Sequence, residues 1–141
     1  MYSMLLPSEI ESKTLIPAIR AIISRRLVND YNMREEDVAK LLGITQAAVS
    51  NYIRGTRGDA ELVKKLTNLP TIAKRIDEIS RELASSKAFL PSTMAKYIGL
   101  LNYIRQSMII CDIHHTIEDN IDKEVCKACE DMLIKNSSGT D

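Results

Sequence analysis

Large aromatic side chains are scarce in this chain, which has one Phe and no Trp among its 141 residues. With 45% hydrophobic residues the chain can still bury a core, but that core must consist mainly of Ile, Leu, Val, Met and Ala. Such residues pack well between helices. We therefore predict a compact, all-α domain with a smaller helical appendage.

Long apolar runs are also missing. No segment approaches the roughly 20 apolar residues of a membrane-spanning helix, and the N-terminus lacks a basic region followed by an apolar block. We expect a soluble, cytoplasmic protein. There is no internal repeat, and residues 136–141 are expected to form a flexible tail.

Familiar catalytic motifs are absent as well. The sequence contains no Gly-rich phosphate loop, no nucleophile elbow and no HExxH motif. Both histidines lie close to the cysteines, and the carboxylates mostly occupy positions expected on exposed helix faces. We therefore expect neither an enzyme nor a small-molecule substrate.

The formal net charge is zero, but the charge is unevenly distributed. Residues 1–75 hold 12 Lys or Arg against 8 Asp or Glu, whereas residues 76–141 hold 7 against 11. The segment 38–58 carries Lys40, Arg54 and Arg57 and no acid. This local excess of positive charge favours contact with phosphate.

The segment from Glu36 to Gly58 has the pattern of two short helices that cross closely. Ala39 permits close helix contact, Gly43 can take the positive φ of a tight helix exit, and Thr45 can cap the next helix. The apolar side of the pair is assigned to Leu42, Ile44, Val49 and Tyr52. This arrangement predicts a helix-turn-helix that binds duplex DNA.

The opposite face of the second helix carries the groups expected to read DNA. Gln46 and Asn51 are the predicted base readers, because amides can make bidentate contacts to adenine, and Arg54 is assigned to guanine or phosphate. Thr45, Lys40 and Arg57 are expected to position the DNA backbone. The candidate DNA-binding residues are Lys40, Thr45, Gln46, Ala47, Ser50, Asn51, Arg54 and Arg57.

These residues resemble the lambda-repressor and Cro type of helix-turn-helix, the XRE family, and most closely its short archaeal transcriptional regulators. The pattern A-x3-G-x5-V is formed by Ala39, Gly43 and Val49, and TQAAVSNYIRG continues through the recognition helix without a gap. The resemblance covers residues 14–67. It departs from the family at Tyr52, where many members carry an aliphatic residue.

The remaining apolar patterns predict further helices. Helices are expected at about 14–31, 35–42, 46–54, 60–67, 70–83 and 92–110. A narrow seam in the fifth is formed by Ile72, Ile76, Ile79 and Leu83. This seam, the helix from Met94 to Met108, or both are expected to form a homodimer, and packing within one subunit is the alternative.

All three cysteines and both histidines lie between residues 111 and 129. Cys111, His114, Cys126 and Cys129 form the pattern C-x2-H-x11-C-x2-C and are the predicted metal ligands, with His115 as a competing imidazole. Three thiolates suit an iron-sulfur cluster, which would act as a redox or iron sensor. A structural zinc ion and a metal-free thiol or disulfide function are the alternatives. Similar cysteine clusters accompany the archaeal regulators that the chain resembles.

Together these features predict a dimeric, sequence-specific DNA-binding transcriptional regulator with a C-terminal metal centre. The predicted divisions are a DNA-binding domain at 1–68, a helical dimerisation region at 69–110, a metal-binding segment at 111–135 and the tail. Two other classes stay open: a helical bridging or antitoxin-type interaction protein, and a metal-dependent redox protein.

Overall fold

The computed structural model describes residues 4–138, and every regular element in that range is helical. The elements are α1 (Pro7–Ile10), a π-helical turn (Glu11–Leu15), α2 (Ile16–Arg25), a second π-helical turn (Arg26–Asp30), α3 (Glu35–Leu42), α4 (Gln46–Arg54), α5 (Ala60–Thr67), α6 (Pro70–Ser86), α7 (Pro91–Gln106), α8 (Ile109–Ile117) and α9 (Lys123–Ser138). The predicted all-α class is confirmed over this range. None of these helices is long and apolar enough to cross a bilayer.

The chain forms two compact units. One is Thr14–Leu100, and the other combines the N-terminal segment up to Lys13 with the chain from Leu101 onward. The predicted division at residues 68 and 69 falls inside the first unit, because α6 packs against α2 and α5. Helix α9 extends into the predicted tail as far as Ser138, and residues 139–141 lie outside the described residues.

The core of the Thr14–Leu100 unit forms where α2 packs against α4, α5 and α6. Helix α6 contributes its repeated apolar side chains, which are at most 1% exposed: Ile72, Ile76, Ile79 and Leu83. The sequence left open whether this seam packs within a subunit or across a dimer. The structure buries it within the subunit, so the seam is not available as a dimer interface.

The helical run before α3 begins earlier than the sequence indicates. A start near Thr14 is predicted, but α1 begins at Pro7, where the Glu9 carboxylate accepts the backbone N–H of Leu6 at 3.0 Å. Pro17 lies in the first turn of α2, and the π-helical turn Glu11–Leu15 directly precedes that helix. Pro17 has no backbone N–H to donate, and the wider π-helical turn before α2 accommodates this missing donor.

A single helix over 92–110 is predicted, and this expectation is wrong. Helix α7 ends at Gln106, Met108 adopts a left-handed conformation with φ 65°, and α8 begins at Ile109. Ile104 and Ile113 would lie about 180° apart around one continuous helix, yet both are buried. The break allows each to reach apolar surroundings. Cys111 therefore lies inside α8 and not at the end of the long helix.

Candidate functional site

The turn between α3 and α4 is fixed by two residues. Gly43 has φ 68° and ψ 33°, a left-handed conformation that ends α3. Thr45 precedes α4, and its Oγ1 accepts the backbone N–H of Ala48 at 3.0 Å. Both roles were predicted and both are confirmed. The local sequence thus sets the path by which the chain enters α4.

The inner side of α4 is buried. Val49 is fully buried, Tyr52 is 1% exposed, and Ala48 is 5% exposed where α4 packs against α2 and α3. Ala39 on α3 is likewise 5% exposed, in agreement with its predicted place at the helix crossing. Leu42 and Ile44 are only half-buried. With its inner side fixed in this way, α4 has a defined outer side.

The carboxyl end of α4 is held by an arginine that sequence reasoning did not identify. Arg25, the last residue of α2, donates from Nε to the backbone carbonyl of Tyr52 at 3.0 Å. The guanidinium carbon of Arg57 lies 5.5 Å from the centre of the Tyr52 ring. Gly55 ends the helix with φ 76°. Tyr52, the departure from the resembled family, is therefore a buried anchor point for two arginines.

The outer side of α4 forms the recognition face, defined as Gln46, Ala47, Ser50, Asn51 and Arg54. Gln46, Ala47 and Arg54 are exposed, whereas Ser50 and Asn51 are half-buried. Arg54 donates from Nη2 to the Asn51 side-chain oxygen at 2.9 Å. Two of the predicted reading residues are therefore joined by a hydrogen bond in the DNA-free protein.

Positive charge surrounds the recognition face. Lys40 and Arg57 are exposed, as is Thr45. The acids nearest in sequence flank the segment on both sides: Asp37 in the first turn of α3 pairs with Arg34 at 3.0 Å, and Asp59 caps α5 by accepting the backbone N–H of Glu61 at 2.9 Å. The recognition face thus belongs to a segment, 38–58, whose charged side chains are all basic.

The three cysteines form a thiol cluster, Cys111, Cys126 and Cys129, on α8 and α9. Burial raises the pKa of the Cys111 thiol to about 11, with further contributions from Cys129, Glu130 and Cys126. Burial also raises the pKa of Cys126 and of Cys129, and the negative charge of Glu130 adds to both shifts. The thiols are close enough to oppose one another's ionisation.

The two histidines have different partners. His114 is 5% exposed and forms a hydrogen bond with the Glu118 carboxylate, which also accepts the backbone N–H of Leu5. The His114 contact lowers the pKa of Glu118. The ring of His115 instead places Nε2 3.7 Å from the Cys126 sulfur. The predicted ligand His114 is therefore occupied elsewhere, and the competing imidazole lies beside the thiol cluster.

The thiol cluster has the donor types of a metal site without its assembled geometry. Among the side chains that the structure describes, no three from Cys, His, Asp or Glu are placed to hold one ion. The Cys126 thiol donates to the Glu130 carboxylate at 3.6 Å. Binding a metal here would replace this contact and deprotonate the thiols.

Comparison with known proteins identifies the helix-turn-helix. A family model described as Helix-turn-helix matches residues 23–70, which include α3, α4, α5 and the end of α2. No curated protein matches the chain, and no solved structure matches it. The match supports the predicted resemblance to the XRE type over these residues. Closeness to archaeal regulators remains a prediction.

Proposed function

We propose that this protein is a sequence-specific transcriptional regulator of the XRE type, which acts as a homodimer on duplex DNA in the cytoplasm. One observation carries the proposal: a helix fixed by buried Val49 and Tyr52 presents Gln46 and Arg54 to solvent within an acid-free segment. A helix of this kind fits the major groove, where its amide and guanidinium groups can meet base edges.

The recognition face and its surroundings have separate tasks in this proposal. Gln46 and Asn51 read adenine, and Arg54 reads guanine or holds phosphate. Since Arg54 is hydrogen-bonded to Asn51, both side chains exchange that contact for DNA. Lys40, Thr45 and Arg57 hold the backbone, while Ala47 and Ser50 leave room for the bases.

Two substitutions test this division. Gln46→Ala is expected to change the preferred sequence, with a loss of about 1–3 kcal/mol at one base pair. Lys40→Ala is expected to weaken binding to all sequences alike and to lower the salt slope by about 1. Both are measured by titration of selected and scrambled duplexes over a range of salt concentrations.

Lys74→Ala serves as the matched control, because Lys74 is exposed on α6 and lies outside the proposed interface. If neither Gln46→Ala nor Lys40→Ala changes DNA affinity while Lys74→Ala behaves like the parent, the site assignment fails. Retention on DNA without any preference for sequence would favour a bridging or antitoxin-type interaction protein.

The homodimer is assigned to α7. Ile98 on this helix is 52% exposed, and Leu90 just before the helix is 43% exposed. Exposed apolar side chains such as these are suited to contact with a second copy. Ile98→Glu is expected to give monomers in sedimentation velocity and to weaken operator binding. Ala95→Glu, on the same helix, is the control, and a dimer that survives Ile98→Glu excludes this face.

The metal centre is proposed to be an iron-sulfur cluster held by Cys111, Cys126 and Cys129, with zinc as the alternative. His115 is favoured over His114 as an additional ligand, because His115 lies beside Cys126 whereas His114 pairs with Glu118. Such a cluster supplies one-electron redox chemistry and can be lost when iron is scarce. The protein's part is to supply thiolates whose ionisation depends on the bound cation.

The metal proposal is tested on anaerobically purified protein. A visible absorption band with iron and acid-labile sulfide would support the cluster, and one zinc per chain without colour would support the structural alternative. His115→Ala is expected to lower metal content more than His114→Ala. Equal operator affinity for loaded and metal-free protein would exclude a sensing role.

A further inference from the structure

A cleft of about 350 Å³ lies beside the turn between α3 and α4, entirely within the Thr14–Leu100 unit. Its walls come from α2, the end of α3, the turn residue Gly43, and the segment that joins α6 to α7 together with the first turns of α7. A Cβ atom built on Gly43 would meet nothing within 4 Å, so the cleft is open at the turn. The volume suits a small organic molecule.

The walls of this turn cleft are mainly apolar. Leu41, Phe89 and Met94 line it, and the rings of Phe89 and Tyr97 lie 6.2 Å apart at an angle of 44°. Met94 is 46% exposed although it is a large apolar residue. A ligand that covered these side chains would remove apolar surface from water, which favours its binding.

The charges that line the turn cleft have one sign. Arg20 and Lys40 are among its lining residues, and no Asp or Glu is. Burial raises the pKa of the Tyr97 phenol to about 12, although the charge of Arg20 opposes the shift. Tyr97 lines the cleft, and a phenol is a hydrogen-bond donor at neutral pH with or without this shift. Two cations and a phenol donor on apolar walls select an anion with an apolar body.

We propose that the turn cleft binds a small aromatic or branched aliphatic carboxylate. Its apolar part lies against Leu41, Phe89 and Met94, and its carboxylate meets the cations Arg20 and Lys40. The ligand is assigned the role of an effector, because Lys40 and Gly43, which line the cleft, belong to the helix-turn-helix.

A ligand in the turn cleft is expected to lower the affinity of the protein for DNA. This inference rests on the proposed function. Lys40 lines the cleft and is also assigned to the DNA backbone. An ammonium neutralised by a ligand carboxylate attracts phosphate less. Leu42 and Gly43, which lead into α4, also line the cleft. We expect the ligand to lower affinity for all DNA sequences alike.

Ligand binding is tested first without DNA, on the full chain, by NMR titration with phenylacetate and indole-3-acetate. Phenylacetamide is the matched uncharged probe. The acids are expected to bind at least about tenfold more tightly than the amide, because a hydrogen bond to a charged group is worth more than a neutral one. Arg20→Gln and Lys40→Gln are each expected to weaken acid binding about tenfold and to leave amide binding unchanged, while Lys74→Gln alters neither.

A second variant tests the position of the ligand. Met94→Trp places a larger side chain at the partly exposed wall and is expected to abolish binding of both acids with the fold retained. Equal affinity for acid and amide, binding of neither, or full binding to Met94→Trp would overturn the proposal. An acid affinity that falls as protein concentration rises would also overturn it, since the cleft would then be covered by a second copy.

DNA titrations distinguish failure of the ligand proposal from failure of the proposed function. Ligand binding by a protein with no sequence-specific DNA affinity would overturn the proposed function alone. Sequence-specific DNA binding by a protein that binds none of the probes would overturn the ligand proposal alone. A fall in DNA affinity with phenylacetate but not with phenylacetamide is the result that supports both.

Discussion

The helix-turn-helix and the Cys/His segment both gather polar side chains, but they use them in opposite ways. On α4 the Gln46 and Arg54 side chains are exposed on a segment without acids. Around α8 and α9 the polar groups pair with one another, as in the contacts between His114 and Glu118 and between Cys126 and Glu130. The first region keeps Arg54 exposed even where it bonds to Asn51, and the second pairs its groups with its own carboxylates.

The difference follows from charge. A DNA-binding surface needs only a fixed helix and an excess of cations, because its partner brings the negative charge. A thiol cluster collects groups that ionise to the same sign, and burial makes each ionisation harder. A bound cation is what would remove that conflict. The first region therefore needs no change of protonation to meet DNA, whereas the thiols would have to lose their protons to hold the proposed metal.

The largest expected effect comes from placing a carboxylate on the buried side of α4, and a carboxylate on the exposed side is the comparison. Val49 is fully buried, so Val49→Asp places an unpaired charge in the core and is expected to cost at least about 3 kcal/mol in the free energy of unfolding. Ala47→Asp, on the exposed side, should change that free energy by less than about 0.5 kcal/mol and still weaken DNA binding. Urea unfolding followed by circular dichroism measures the first. Similar unfolding midpoints for the two variants would show that the faces of α4 are misassigned.

The second effect is a slower alkylation of Cys111 than of a cysteine with an ordinary pKa. With the pKa of Cys111 raised to about 11, its alkylation at pH 8 is expected to be roughly ten- to a hundredfold slower than in the urea-unfolded chain. The folded chain holds this proton more tightly than the unfolded chain does. The resulting stabilisation is therefore complete below the ordinary thiol pKa and is lost as pH rises through about 11.

Iodoacetamide labelling, mapped by mass spectrometry from pH 7 to 11, gives the rate at each cysteine of the metal-free protein. The urea-unfolded chain is the control. Equal rates for Cys111 in the folded and unfolded chains would show that folding does not raise the pKa of this thiol. No cation would then be needed to offset such a shift.

The smallest effect concerns the turn that starts α4. Gly43→Ala meets no steric obstacle, so its cost is the left-handed backbone alone, about 1–2 kcal/mol. Gly99→Ala within α7 is the control and is expected to stabilise by up to about 1 kcal/mol through helix propensity. Thermal unfolding compares them. A Gly43→Ala variant as stable as the parent would show that the turn does not require its conformation.

Local residue types made the helix-turn-helix predictable. Gly43 and Thr45 fix backbone conformations by their own chemistry, and the apolar spacing of α4 sets which side is buried. The expected bounds of α3 and α4 agree with those in the structure. The hydrogen bond from Arg25 to the Tyr52 carbonyl was not predictable. It joins residues 27 positions apart, and neither residue type requires the other.

The appendage was less predictable because its local patterns allow more than one arrangement. Apolar spacing continues through Met108, so it gave no sign of the left-handed break there. His114 and His115 are adjacent, and their sequence positions do not show which one faces Glu118 and which one faces Cys126. That choice depends on which side of α8 is buried, and α8 packs against α1, far away in the chain.

The contact from Arg25 also alters the polarity of α4 as a whole. A helix is positive at its amino end and negative at its carboxyl end, and the negative end would repel a phosphate chain. Arg25 places its charge against the Tyr52 carbonyl in the last turn, from the side of the protein interior. Together with Arg54 and Arg57, it offsets the negative pole and leaves the positive pole at Gln46 unopposed. A phosphate chain that contacts α4 would therefore meet positive potential at both ends of the helix.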